Sequence, residues 1–120
     1  MTYDPNNIFA KILRGDIPCK KIYEDDFALA FHDIQPAAPV HALVIPKGEF
    51  ENHAAFSQKA SEAQLVGFHR AVGKVAEMIG VEQGGYRLIS NCGVNGGQEV
   101  PHYHVHILGG GRLGRMVARD

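Results

Sequence analysis

Three histidines stand at alternate positions, His102, His104 and His106. Side chains alternate on a strand, so the three imidazoles share one face, with Cα atoms about 6.6 Å apart at a rise of ~3.3 Å per residue. Tyr103, Val105 and Ile107 then point the other way and can enter a core. A row of imidazoles makes a poor core surface, and the regular apolar alternation argues against a solvated face arrived at by chance. Two chemistries remain. Neutral imidazoles are good zinc ligands, an alternating pair can share one ion, and His41 is a candidate third ligand. Alternatively, the middle imidazole attacks phosphorus while its neighbours orient it or hold phosphoryl oxygens. The glycine-rich run ending in Gly96-Gly97-Gln98 leads straight into the histidines. Glycines let backbone N–H groups approach an anion closely, which suits a phosphate better than a bare metal ion. No cysteine or carboxylate stands beside the histidines at a metal-like spacing, and Glu99 lies at a different offset. The residues therefore favour His104 as a nucleophile and no bound metal. A free imidazole titrates near 6.5, so it can be neutral and nucleophilic at neutral pH.

The elements that must position these residues are legible in outline. Asn6 or Asn7 can cap a short helix carrying Ile8, Phe9, Ile12 and Leu13, ended by Gly15. An extended stretch from Pro18 to Tyr23, the polar turn Glu24-Asp25-Asp26 and a strand over residues 27–34 read as an antiparallel hairpin. Two prolines stiffen the connector Gln35-Pro36-Ala37-Ala38-Pro39. His41-Ala42-Leu43-Val44-Ile45-Pro46 is almost continuously apolar, which predicts a central strand. One long helix follows, capped by Ser57 or Ser61, with Leu65, Phe68, Val72, Val75, Ala76 and Ile79 at helical spacing and Gly80 at its end. Strands are expected over residues 86–91 and 100–108. The expectation is an α+β fold with a five-stranded antiparallel sheet, one long and one short helix, and the long helix on one face.

Length and composition set the class. A chain of 120 residues suits one domain and buries roughly two-thirds of its unfolded surface. Flexible ends are expected over residues 1–5 and 112–120. With 12 Lys+Arg against 13 Asp+Glu there is no basic stripe for a nucleic-acid polymer, so a nucleotide ligand would be small and held in a pocket. No run approaches the ~20 apolar residues of a membrane span, and the first residues lack the basic flank and apolar stretch of a signal peptide. Cys19 and Cys92 are expected as free thiols, which points to the cytoplasm.

The sequence resembles the histidine triad family. The motif stands as His102-Tyr103-His104-Val105-His106-Ile107-Leu108. Ile8-Phe9-Ala10-Lys11-Ile12, Phe31-His32-Asp33-Ile34, Pro36-Ala37-Ala38-Pro39-Val40-His41, Leu43-Val44-Ile45-Pro46-Lys47, Gly96-Gly97-Gln98 and Leu108-Gly109-Gly110 resemble its Hint branch. The resemblance runs from Ile8 to about Gly114. It implies a homodimer that pairs long helices and central strands into one continuous sheet. It implies hydrolysis of purine nucleoside phosphoramidates, such as adenosine 5′-monophosphoramidate and aminoacyl adenylates, without a cofactor or metal.

By position in the family, His104 would be the nucleophile, flanked by His106 and His102, with His41 completing the set. Asp33 would accept from ribose hydroxyls. Ile8, Phe9, Ile12, Phe31, His32, Ile34 and Leu43 would wall the nucleotide. Asn91, Gly97, Gln98 and the Glu99–Val100 backbone would line the phosphate. Two departures stand out: Tyr103 fills a motif position where a smaller aliphatic is usual, and Glu99 replaces a serine found in some members. Two rivals to this reading are a zinc-dependent hydrolase using the histidines as ligands, and a nucleotide-binding scaffold with incidental turnover.

Overall fold

The computed structural model describes residues 2–118. The chain forms α1 (Ile8–Arg14), β1 (Lys21–Glu24), β2 (Ala28–His32), β3 (Val40–Pro46), α2 (His53–Lys59), α3 (Glu62–Met78), β4 (Tyr86–Ile89) and β5 (Val105–Gly109). The five strands make one antiparallel sheet in the order β1-β2-β3-β5-β4. The fold is α+β, as the sequence predicts, but with three helices rather than two. The long helix of the sequence reading starts at the second of its two candidate caps, Ser61, and the short helix α2 before it is the one not expected. Asn52 caps α2 by accepting from the Ala55 N–H, Ala60 turns extended, and Ser61 restarts the chain with a reciprocal capping box to Gln64.

Each face of the sheet buries its own cluster. On one face Ala28, Ala30, Ala42, Val44, Val105 and Ile107 meet Phe68, Val72, Val75 and Ala76 of α3. The alanines let the helix come close. Gly67 does the same for Phe27, whose ring would lie 2.3 Å from a Cβ at that position. Tyr103 joins this cluster, stacked on Phe56 at 4.9 Å. On the other face Leu29, Phe31, Leu43 and Ile45 pack with Phe9 of α1. That helix is held by the Asn7 cap and ends at Gly15 in the left-handed region, φ 83°, where glycine has no Cβ to clash.

The register fixes which residues meet. Phe31 lies opposite Leu43, and Leu43 opposite His106. His41 is two residues before Leu43, so its side chain shares that face. The strand β3 is paired along both edges. The central strand is thus not free to continue the sheet into a second copy, contrary to what the family resemblance implies; among the described residues, β1 and β4 are the strands paired along one edge only. No helix is long and apolar enough to cross a membrane among the described residues.

Candidate active site

The last strand begins later than expected. The sequence reading starts it at Val100, but pairing with β3 begins at Val105. Pro101 has no N–H to give a ladder. The His102 N–H instead turns back to the Val100 carbonyl at 2.9 Å. His102 and His104 thus sit on an irregular lead-in, and only His106 is on the strand proper. The side-chain alternation nevertheless survives. His102 and His104 meet Phe9 on the α1 face, while Tyr103 points to α2 and α3.

The three imidazoles do different things. His102 is wholly buried. Its Nε2–H donates to the Pro46 carbonyl at 2.9 Å, and its Nδ1 accepts from the Tyr3 hydroxyl at 2.6 Å. Tyr3 belongs to the stretch read as a flexible terminus, and this bond ties it to the centre of the molecule. Burial pulls the His102 pKa down to about 4, against the bond to Pro46. His104 donates from Nδ1 to the His102 carbonyl at 2.7 Å, which leaves the Nε2 lone pair free. Burial also lowers its pKa, while that carbonyl, Asp33 and Glu99 oppose the shift. At neutral pH the ring is neutral.

The His106 tautomer is set at a distance. The Ala37 N–H donates to His41 Nδ1 at 3.0 Å. A neutral His41 then carries its proton on Nε2 and gives it to His106 Nδ1 at 2.9 Å. His106 is left with Nε2–H as a donor. Burial, and then the neighbouring His104 and His41, bring its pKa down to about 4. Asp33 Oδ2 stands 3.5 Å from His41 Nε2. Asp33, His41 and His106 can bring three ligand atoms within 4.8 Å of one another. The triad itself cannot gather round one ion through His102 Nε2 and His104 Nδ1, because both nitrogens are spent on carbonyls.

A cavity of about 480 Å³ opens over this face. Ile8, Phe9, Ile12, Phe31, His32, Asp33, Ile34 and Leu43 line one part of it. Asn91, Gly97, Glu99, Val100, His104 and His106 line the other. Ile17, Pro18, Cys19 and Lys20 also line it, and the sequence reading did not name them as site residues. Their signal was available: Pro18 follows a helix whose apolar side walls the same space. His41 and His102 lie beneath the cavity rather than on it.

Two expectations for the glycine loop need correction. Gln98 is a strut, not a cavity residue. Its Nε2 donates to the carbonyls of Glu51 (2.6 Å) and Val100 (3.0 Å), and its Oε1 accepts from the Gly93 N–H (3.0 Å). The Gly97 amide is not free to meet an anion, because it donates to Val94 at 3.0 Å. The Gln98 amide likewise donates to Gly93 at 3.1 Å. Among the described residues, the amides of Glu99 and Val100 have no such partner. Gly96 is required here, since a Cβ would lie 2.5 Å from the Cys92 carbonyl.

The chain is similar to known proteins along almost its whole length. The family model for the HIT domain matches residues 14–113. The chain is 57% identical over 118 residues to an uncharacterised 13.2 kDa HIT-like protein of Azospirillum brasilense, covering 98% of this chain and 97% of that one. It is 44% identical over 111 residues to the purine nucleoside phosphoramidase of Escherichia coli, covering 92% of each. Among solved structures, a histidine triad protein from Clostridium difficile aligns with TM-score 0.85 at 40% identity, over 97% of this chain and 100% of that one. A HIT family hydrolase from Clostridium thermocellum aligns with TM-score 0.81 at 43% identity, over 94% and 97%. The chain belongs to the histidine triad (HIT) family.

Proposed function

We propose that this protein hydrolyses purine nucleoside phosphoramidates through a covalent nucleotidyl-histidine on His104. The observation that carries this reading is the held ring of His104: Nδ1–H fixed on a carbonyl, Nε2 free, in a cavity with an apolar wall. The similarity to the E. coli phosphoramidase supports the substrate class. The apolar wall takes the base, and Asp33 accepts from the ribose hydroxyls. The His106 Nε2–H and the amides of Glu99 and Val100 face the phosphoryl oxygens, where such donors stabilise developing charge.

The steps balance. Nε2 of neutral His104 attacks the α-phosphorus, the P–N bond breaks, and the departing nitrogen takes up one proton and leaves as an amine. The product is a nucleotidyl-imidazolium. Water attacks the same phosphorus, the P–Nε2 bond breaks, and a nucleoside monophosphate leaves while one proton returns to solvent. Positioning and electrostatics dominate such transfers.

A second reading has one observation in its favour, the ligand set Asp33, His41 and His106. A zinc ion there would activate water, and His104 would not be its ligand. Both readings are tested by hydrolysis of adenosine 5′-monophosphoramidate with wild type and His104→Ala, each with and without chelator. Chelator-resistant activity that vanishes in His104→Ala is expected. Activity that survives the substitution, or that chelator abolishes, overturns the covalent mechanism. Binding without turnover of any phosphoramidate would instead favour a scaffold.

The assembly follows from the opposite face. A hollow of about 840 Å³ lies between α2, α3 and β4, lined by Leu65, Val66, Phe68, Val72, Leu88 and Val105 among others. Val66 and Leu88 are about half exposed, and β4 is an unpaired edge. A second copy seated there, α3 against α3, covers this apolar surface in a homodimer. Two free thiols, Cys19 and Cys92, support a reducing cytoplasmic setting.

A further inference from the structure

The connector between β2 and β3 runs along the buried side of the site. Its two prolines, Pro36 and Pro39, have no N–H to give. The Gln35 N–H is taken by Asp33 Oδ1 at 2.7 Å, and the Asp33 N–H closes the base of the connector on the His41 carbonyl at 3.0 Å. The Ala37 N–H reaches inward, to His41 Nδ1 at 3.0 Å. His41 is only 7% exposed, and its other ring nitrogen meets His106.

The 2.9 Å contact between His41 Nε2 and His106 Nδ1 can run in either direction between two neutral rings. If His41 donates, His106 keeps its proton on Nε2. If His106 donates, its Nε2 carries only a lone pair, and His41 must hold its proton on Nδ1. That second arrangement sets the Nδ1–H of His41 against the Ala37 N–H, which can only donate. Asp33 Oδ2, an acceptor 3.5 Å from His41 Nε2, favours the first arrangement as well. Each bond accepted along such a chain makes the next N–H a stronger donor. His104, whose ring centre lies 5.0 Å from that of His106, is set the opposite way: a carbonyl holds its Nδ1–H and leaves Nε2 with a lone pair.

We propose that the Ala37 amide is a positioning group for the reaction: through His41 it makes His106 Nε2 a donor to the phosphoryl group, beside a nucleophile whose polarity a carbonyl has set in reverse. No proton passes along the chain in this role; its direction alone matters. What His106 meets rests on the phosphoramidase reading above, whereas the direction of the chain does not.

The direction is read first in the native chain, labelled with 15N. Scalar coupling across the hydrogen bonds should link the Ala37 nitrogen to His41 Nδ1, and His41 Nε2 to His106 Nδ1, with the His106 proton on Nε2 and the His104 proton on Nδ1. The function is read in a semisynthetic full chain with lactate in place of Ala37, which exchanges that one N–H for an ester oxygen. Its control is a chain ligated in the same way with the native amide. The ester is expected to move the His106 proton toward Nδ1. It should lower kcat for adenosine 5′-monophosphoramidate by about three- to thirtyfold with KM unchanged, less than the hundredfold or so that follows outright loss of such a donor. A His106 proton on Nδ1 in the native chain, or a tautomer or kcat unchanged by the ester, overturns the proposal. If the ester chain does not fold, His41→Gln and His41→Met replace it. A carboxamide can accept from Ala37 and donate to His106, whereas a thioether cannot donate. His41→Gln should therefore keep the His106 proton on Nε2 and retain more activity than His41→Met; equal tautomers and rates in the two overturn the chain. If wild type hydrolyses no phosphoramidate, the phosphoramidase reading fails, and the tautomer spectra alone decide the direction.

Discussion

Replacing Tyr3 by Phe isolates one hydroxyl. The ring contact with His102, edge-on at 5.7 Å and 74°, is kept. What goes is the donor to His102 Nδ1, an acceptor on a side chain with no exposed surface. Water cannot take its place without opening the interior. A buried acceptor left alone costs about 1–3 kcal/mol. At ~2.1 cal/mol/K per residue, a 120-residue chain has a melting entropy near 0.25 kcal/mol/K, so Tm should fall by about 4–12 °C. Urea unfolding at fixed protein concentration, followed by circular dichroism, gives the free-energy difference directly. The His102 carbonyl also holds the His104 ring, so kcat should fall while KM holds. A stability change below about 0.5 kcal/mol would refute the reasoning, since it would mean the hydroxyl is not the acceptor's essential partner.

The buried imidazoles make stability depend on pH with a definite sign. His102 and His106 titrate at about 4 when folded, below the ordinary imidazole value. The unfolded chain therefore binds more protons between about pH 4 and 6.5, and stability should be full above 6.5 and decline as pH falls through that window. Unfolding at pH 5 should take up roughly two more protons than at pH 8, read from the slope of the unfolding free energy; a flat profile would contradict the burial argument. For the assembly, sedimentation equilibrium should return twice the chain mass for wild type and a monomer for Leu88→Asp. A monomeric wild type at micromolar concentration would remove the proposed interface.

The sequence was most legible where one spacing governs one geometry. His-x-His-x-His places three rings on one side whether or not the backbone is paired, so the alternation held even though the ladder begins at Val105. Alternation alone could not tell where the ladder starts. The Pro101 imide and the carbonyls of Val100 and His102, spent on turn and ring hydrogen bonds, decide that. Ser61 was legible as a cap of the long helix, but the choice between it and Ser57 was not, and α2 went unread because its seven residues, capped by Asn52, are too few to show a helical repeat. Gln98 was read as a phosphate residue by its family position; one of its three bonds reaches Glu51, far away in the chain, which no local pattern announces. The individual roles of His41 and His106 rest on the Ala37 amide, equally invisible to spacing.

The cavity is assembled from two separately anchored pieces. The His104 ring hangs from a segment running into the centre of the sheet, where β3 and β5 are buried on both sides. The opposite wall comes from a seven-residue helix and the four residues 17–20, attached near the edge. Substitutions in that wall can drift without moving the His104 ring, whose supports lie in the sheet and beneath it. Such a division lets descendants of one ancestor exchange what they admit while keeping how they cleave it. It makes residues 8–20 the natural place to randomise when a new specificity is sought, with Tyr3 and the segment after Gln98 left untouched.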